Sequence, residues 1–152
     1  MMKVFLLISL YCGLLYAEAH KLVFDLQTGN STVIQRNFID QVKDLEEYYE
    51  ERGEELEVKV LVSGNSYKFF LKSAKSTLYN LDKKFSKKHK HIQKELAYLA
   101  SVYDVEFEVC EKGFVNRKLS KDNLLDFLEL EHSHNTGLVK WQGKGYVLLS
   151  VK

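Results

Sequence analysis

One cysteine near the middle of the sequence is the side chain best suited to covalent chemistry. Cys110 closes the segment 105–110, in which apolar and acidic residues alternate, and this alternation is typical of a β-strand. The other cysteine, Cys12, lies in an apolar segment at the start of the chain. A thiolate can attack a sulfane sulfur, hold it as a persulfide and transfer it to another thiol. Cys110 is therefore the candidate catalytic residue.

Charges of both signs surround this cysteine in the sequence. Lys112 and Arg117 favour a thiolate, and Gly113 permits close approach of the backbone. Glu108 and Glu111 oppose the thiolate. The balance depends on which of these side chains points towards the sulfur.

Two other interpretations of the cysteine stand beside sulfur transfer. A cysteine at the end of an apolar strand is often a small buried residue, and the protein would then be a non-catalytic binding or assembly module. Its surfaces would be the acidic segment 44–55 and the lysine-rich segment 83–94. Hydrolysis is less favoured, because no histidine stands in a protease-like context with the cysteine. The predicted activity is at most that of a sulfurtransferase-like sulfur carrier.

Segments with strand and helix periodicity alternate along the chain and predict the elements that position the cysteine. This alternation predicts a single α/β domain with a mostly parallel sheet of about five strands, covered on both faces. We predict strands at 21–26, 56–62, 105–110, 128–131 and 146–151, and helices at 34–49, 67–71, 77–103, 120–127 and from 135 onwards.

The carboxyl ends of parallel strands gather functional groups, chiefly where the strand order reverses. Cys110 lies at one such end, and the loop Ser63-Gly64-Asn65 follows the second predicted strand. A loop of this kind at a helix start can present N–H groups to an anion. We therefore expect the loop and the cysteine to converge, with the loop supplying N–H donors.

The first residues have the features of a secretory signal. Lys3 precedes an apolar block of about a dozen residues, which is short for a membrane span. Small residues at Ala17 and Ala19 suit cleavage after either position, which predicts a signal over 1–17 and a domain over 20–152. The mature protein is then periplasmic or otherwise exported, with no membrane segment.

Net charge argues against a nucleic-acid partner. The whole chain has 22 Lys and Arg, 21 Asp and Glu, and a net charge of +1. Removal of Lys3 with the signal brings the net charge to zero, whereas nucleic-acid-binding domains are usually basic.

Two groups of donors could bind a metal, although we predict no metal or cofactor. Glu129, Glu131, His132 and His134 cluster in one segment, but a polar surface loop is the simpler interpretation. Cleavage after Ala17 would place His20 third from the new N-terminus. A terminal amine, two amides and a third-position imidazole suit Cu(II) or Ni(II), so a metal-handling protein is a second alternative.

Four segments resemble the DsrE/DsrF sulfur-relay family, especially its small exported members. The resemblance covers the predicted mature chain. The segments are Val23–Leu26, Val62–Asn65, Val105–Gly113 and Gly137–Tyr146.

The resemblance implies a three-layer flavodoxin-like fold, frequent homo-oligomers and a persulfide-carrying cysteine at Cys110. It also implies that a sulfur donor or acceptor protein is a partner. Arg117 falls near a basic residue common after that cysteine. The family often has a glycine next, where this sequence has Lys118, and the segment His132-Ser133-His134 is also atypical.

Overall fold

The computed structural model describes residues 19–80 and 85–152. The predicted signal, residues 1–17, and the lysines at 83 and 84 lie outside the described residues. Five strands form one sheet, and four of them are rich in valine, leucine or phenylalanine, as expected for strands buried within a parallel sheet. The strands are β1 (His20–Leu26), β2 (Leu56–Val62), β3 (Glu106–Cys110), β4 (Leu128–Glu131) and β5 (Val147–Val151).

All four strand pairings are parallel, and the order across the sheet is β4-β3-β2-β1-β5. The predicted α/β class, the five strands and the helical cover are confirmed. The order differs from the flavodoxin order 2-1-3-4-5, because β5 rather than β3 lies on the far side of β1. The reversal of strand order therefore lies between β1 and β5, whereas Cys110 ends β3, two strands away.

Helices of very different extent cover the two faces of the sheet. The chain steps from β1 to β4 in one direction and then returns past β1 to β5. Right-handed crossovers therefore put α5 (His134–Gly143) on the face opposite the other long helices. None of the helices in residues 19–80 and 85–152 is long and apolar enough to span a bilayer. The helical segments are α1 (Ser31–Ile34), a π-helical turn (Gln35–Ile39), α2 (Asp40–Glu50), a 3-10 helix (Gly64–Phe70), α3 (Phe85–Val102), α4 (Glu111–Asn116), a 3-10 turn (Lys121–Asn123) and α5 (His134–Gly143).

The main core lies between the sheet and the helices that follow β1 and β2. Phe24 packs edge-on against Phe38 with ring centroids 5.1 Å apart, and Phe38 packs against Phe107 at 6.0 Å. Ile92 and Leu96 bring α3 into the same cluster. Burial of these large apolar side chains is the main contribution to stability.

The opposite face of the sheet is polar. Asp25, Lys59 and Glu108 lie at strand positions on this face and are nevertheless buried. A small second core of Val23, Leu61, Trp141 and Tyr146 joins α5 to it. Buried charges are costly unless they are paired, so α5 supplies partners as well as apolar contacts.

Two predicted helices are shorter than expected, and one was not predicted. The helix expected from Thr77 is described only over Phe85–Val102. Thr77 instead closes a turn, in which its hydroxyl donates to Ala74 O at 2.7 Å. The helix expected over 120–127 is reduced to the 3-10 turn, because Leu124 bridges Leu71 in an antiparallel pair. The short helix α4 directly after Cys110 gave no sequence periodicity.

An acidic residue in α2 is held in an unfavourable environment. Burial, with smaller contributions from Glu50 and Asp104, raises the pKa of Glu46 from 4.5 to about 7. Its Oε1 atom is buried and has no hydrogen-bond partner among the described residues. The folded protein therefore binds this proton more tightly than the unfolded chain does.

Glu46→Gln should raise the free energy of unfolding at pH 8 by about 1 kcal/mol, allowing for the screening of a partly exposed group. The carboxylate lowers stability as pH rises from about 4.5 to about 7, because the unfolded chain ionises first. The effect should vanish near pH 4. Urea unfolding at pH 4 and pH 8 measures it, with the exposed Glu47→Gln as control. Equal stabilisation at both pH values would contradict the assignment.

Candidate functional site

The sulfur of Cys110 lies at the junction of a strand end and a helix start. Cys110 is the last residue of β3 and the N-cap residue of α4, and 8% of its surface is exposed. The sulfur accepts a hydrogen bond from the backbone N–H of His134, at 3.1 Å. His134 is the first residue of the ten-residue helix α5. The positive end of a helix dipole therefore faces the sulfur.

A capping box fixes the start of α5. The Ser133 hydroxyl accepts the Thr136 N–H at 3.2 Å, and the Thr136 hydroxyl accepts the Ser133 N–H at 3.0 Å. Thr136 takes the place that glutamate or glutamine usually occupies in such a capping box. The N–H of His134 is thus held in the first turn, where it has no partner within the helix and is available to the sulfur.

Gly113 makes room for a tyrosine. A Cβ atom at position 113 would lie 2.3 Å from the Tyr67 hydroxyl and 3.6 Å from the Cys110 sulfur. Tyr67 is fully buried and donates its hydroxyl hydrogen to the Cys110 carbonyl at 3.1 Å. Burial and the neighbouring Cys110 raise the pKa of Tyr67, so this residue is a hydrogen-bond donor at neutral pH.

The two predicted cations do not occupy equivalent positions. Arg117 lies over the Tyr67 ring, 5.1 Å from its centroid, and donates to Gly113 O at 3.2 Å. Arg117 therefore reaches the surroundings of Cys110 indirectly, through Tyr67 and Gly113. Lys112 is exposed, and its backbone N–H donates to His132 O at 3.4 Å. Lys118 has φ of 54°, the left-handed conformation that glycine adopts readily, so the backbone explains why a glycine suits this position.

Both acidic neighbours of Cys110 are bound to cations. Glu108 accepts hydrogen bonds from Lys140 Nζ and from Trp141 Nε1, each at 2.7 Å. Glu111 pairs with Lys121 at 2.6 Å, and this hydrogen bond and charge lower its pKa. The two carboxylates that oppose a thiolate in the sequence are therefore largely neutralised by partners.

The Ser63-Gly64-Asn65 loop contacts the end of β1. The N–H groups of Ser63 and Asn65 donate to Leu26 O at 3.0 Å and to Gln27 O at 2.9 Å. Neither N–H is therefore available to an anion. Gly64 has φ of 63°, and a Cβ there would lie 2.9 Å from Gln27 O. The loop reaches the cysteine only through Tyr67, two residues after Asn65.

Two residues near the sulfur were not predicted as a pair. Asp25, only 4% exposed, lies near the end of β1, and one of its oxygens accepts from Gln27 Nε2 at 2.7 Å. Its other oxygen lies 3.5 Å from His134 Nε2. A lone aspartate within an apolar strand is the available sequence signal for Asp25, and no local pattern in the sequence pairs it with His134.

Other interactions engage the donors considered for metals. Among the described residues, no group of three or more His, Cys, Asp or Glu side chains could hold a metal ion. Glu131 accepts from Lys140 Nζ at 3.0 Å and from Thr136 Oγ1 at 2.8 Å. His20 stacks on Tyr49, and its Nε2 atom lies 2.6 Å from Glu54.

Comparison with known proteins places the fold and the family. The solved structure of MTH1491, a protein of unknown function from Methanobacterium thermoautotrophicum, superposes with a TM-score of 0.66 at 15% identity. The match covers 86% of this chain and 98% of that one. None of the curated proteins compared matches the sequence. The model of the DsrE/DsrF-like family matches residues 21–151. The chain therefore belongs to the DsrE/DsrF-like family.

Proposed function

We propose that this protein is an exported sulfur carrier that holds persulfide sulfur on Cys110. The observation that supports this most directly is the 3.1 Å hydrogen bond from the first N–H of α5 to the sulfur. A buried structural cysteine does not require a helix N-terminus directed at it, whereas a thiolate is stabilised by one. Membership of a family with sulfur-relay members agrees with this role.

The proposed reaction is transfer of one sulfur atom from a persulfide donor. The Cys110 thiolate attacks the terminal sulfur of R–S–SH, and the bond between that sulfur and the donor's inner sulfur breaks. The electron pair of the broken bond leaves on R–S⁻, which takes a proton from solvent. Cys110–S–SH remains, and attack by an acceptor thiolate on its outer sulfur regenerates the Cys110 thiolate.

Incubation of the mature protein with polysulfide should add the mass of one or more sulfur atoms, removable by dithiothreitol. Cys110→Ser should show no addition, because Cys110 is the only cysteine after residue 12. Intact-protein mass spectrometry under non-denaturing labelling measures the modification. Folded wild-type protein that stays unmodified, while free glutathione reacts in the same tube, would sink the proposal.

The alternative of a binding or assembly module is favoured by one observation. Only 8% of the surface of Cys110 is exposed, and the residue belongs to the main core cluster. In that case Cys110→Ala should lower stability and should abolish no sulfur-transfer reaction. The polysulfide experiment distinguishes the two, because an inert thiol in the folded protein supports the module.

A further inference from the structure

We propose that Asp25 and His134 form a positioning pair that holds the start of α5 on the sulfur of Cys110. The inference rests on the proposed function of Cys110 and assigns a specific task to two residues that do not themselves react. His134 is the link, because its backbone N–H contacts the sulfur and its imidazole contacts Asp25. Displacement of the imidazole would therefore displace the N–H.

The burial of Asp25 shows that it requires a partner. The side chain is 6% exposed, and its Oδ1 atom is buried without a hydrogen bond among the described residues. A buried carboxylate without a compensating charge is strongly destabilising. The nearby basic group is the His134 imidazole, with Nε2 3.5 Å from Oδ1. The contact thus gives Asp25 a polar partner on α5 and gives the first residue of α5 an anchor.

Through the start of α5, the pair links the end of β1 to the end of β3. Asp25 is in register with Leu61 on β2, and Leu61 with Glu108 on β3, so β2 separates Asp25 from the strand that carries the cysteine. Helix α5 lies directly on β2 between them, because a Cβ at Gly137 would lie 2.6 Å from Leu61 Cδ2. The absence of a side chain at position 137 lets the first turn reach both strand ends.

Loss of the pair should be visible as a slower thiol reaction. In His134→Asn the side chain is too short to reach Asp25 from the same backbone, whereas glutamine carries a donor nitrogen at the ε position, like the histidine. We expect His134→Asn to slow alkylation of Cys110 by iodoacetamide by about tenfold, the effect of one hydrogen bond to a charged group. His134→Gln should recover most of the rate.

The partner side of the pair is tested by a double-mutant cycle. Asp25→Asn should also slow alkylation, and adding His134→Asn to it should cause little further loss, because both changes remove the same contact. The matched control is His132→Asn, an exposed histidine two residues earlier. Urea unfolding of each variant confirms that folded protein is assayed.

Two results would overturn the positioning role: a wild-type alkylation rate in folded His134→Asn, or independent, multiplying losses in the double variant. If His134→Asn or the double variant does not fold, His134→Gln is compared with wild type instead. A tenfold slower alkylation of Cys110 in His134→Gln would exclude positioning through this contact. Alkylation needs no sulfur donor, so it tests the pair separately from persulfide formation. An unmodified protein in polysulfide refutes the carrier function and leaves the alkylation result standing.

Discussion

Gly113→Ala should lower the free energy of unfolding by about 2 kcal/mol, although alanine normally stabilises a helix interior relative to glycine by up to about 1 kcal/mol. The new Cβ would lie 2.3 Å from the hydroxyl of Tyr67. Tyr67 is fully buried and cannot swing away. Chemical denaturation monitored by far-ultraviolet circular dichroism measures the loss.

Two companion variants isolate the cause of that loss. Gly143→Ala, also in a helix but with nothing within 4 Å of the added Cβ, should be neutral or slightly stabilising. Tyr67→Phe should cost about 1 kcal/mol through its lost hydrogen bond to Cys110 O. In the Tyr67→Phe background, Gly113→Ala should cost far less than alone, because the clashing oxygen is gone. Simple additivity would show that the hydroxyl is not the obstacle.

Lys140→Met should destabilise the protein by about 2 kcal/mol, because it removes the cation that compensates a buried carboxylate. Glu108, 5% exposed, would retain only its bond from Trp141 Nε1. Lys144→Met is the matched control. Lys140 and Lys144 lie 4.4 and 4.6 Å from the Trp141 ring centroid, and Lys140 donates the hydrogen bond to Glu108.

The neutral combination tests whether charge is the reason. Glu108→Gln with Lys140→Met removes both charges of this pair, so it should be more stable than Lys140→Met alone. Glu131, the other carboxylate that Lys140 binds, loses its cation equally in both variants. Thermal unfolding and urea midpoints give the comparison. A loss in Lys144→Met as large as that in Lys140→Met would mean that contact with the indole ring, rather than the ion pair, is responsible.

The strands were predictable because the spacing of their apolar residues follows from which positions of a strand are buried. The β-branched run of β2 and the alternation in β3 gave their positions to within one residue, and the parallel sheet followed from the alternation of elements. The turn at Thr77 was not predictable in the same way. Thr77 forms local hydrogen bonds with Ala74 and Tyr79, and Ser76 has φ of 61°, which hydrophobic spacing does not report.

The place of Cys110 at a strand end was predictable, whereas the groups around its sulfur were not. Cys110 followed from its solitary position at a strand end. The contact with His134 joins residues 24 apart in sequence, and no local pattern encodes which helix start will meet a given strand end. Glu108 shows the same limit: its charge suggested repulsion of a thiolate, but a distant lysine and a tryptophan bind it.

Helix α5 also determines when the cysteine acquires its environment during synthesis. Domains form as units once their elements are complete, and the N-terminal part emerges first. The residues that follow Cys110 include the whole of α5 and also β5, which pairs with the first strand, β1. A nascent chain stopped before residue 134 therefore carries the thiol without its hydrogen-bond donor. The sulfur loading proposed for Cys110 would therefore require α5, and truncation before residue 134 is expected to abolish it even when β1, β2 and β3 are intact.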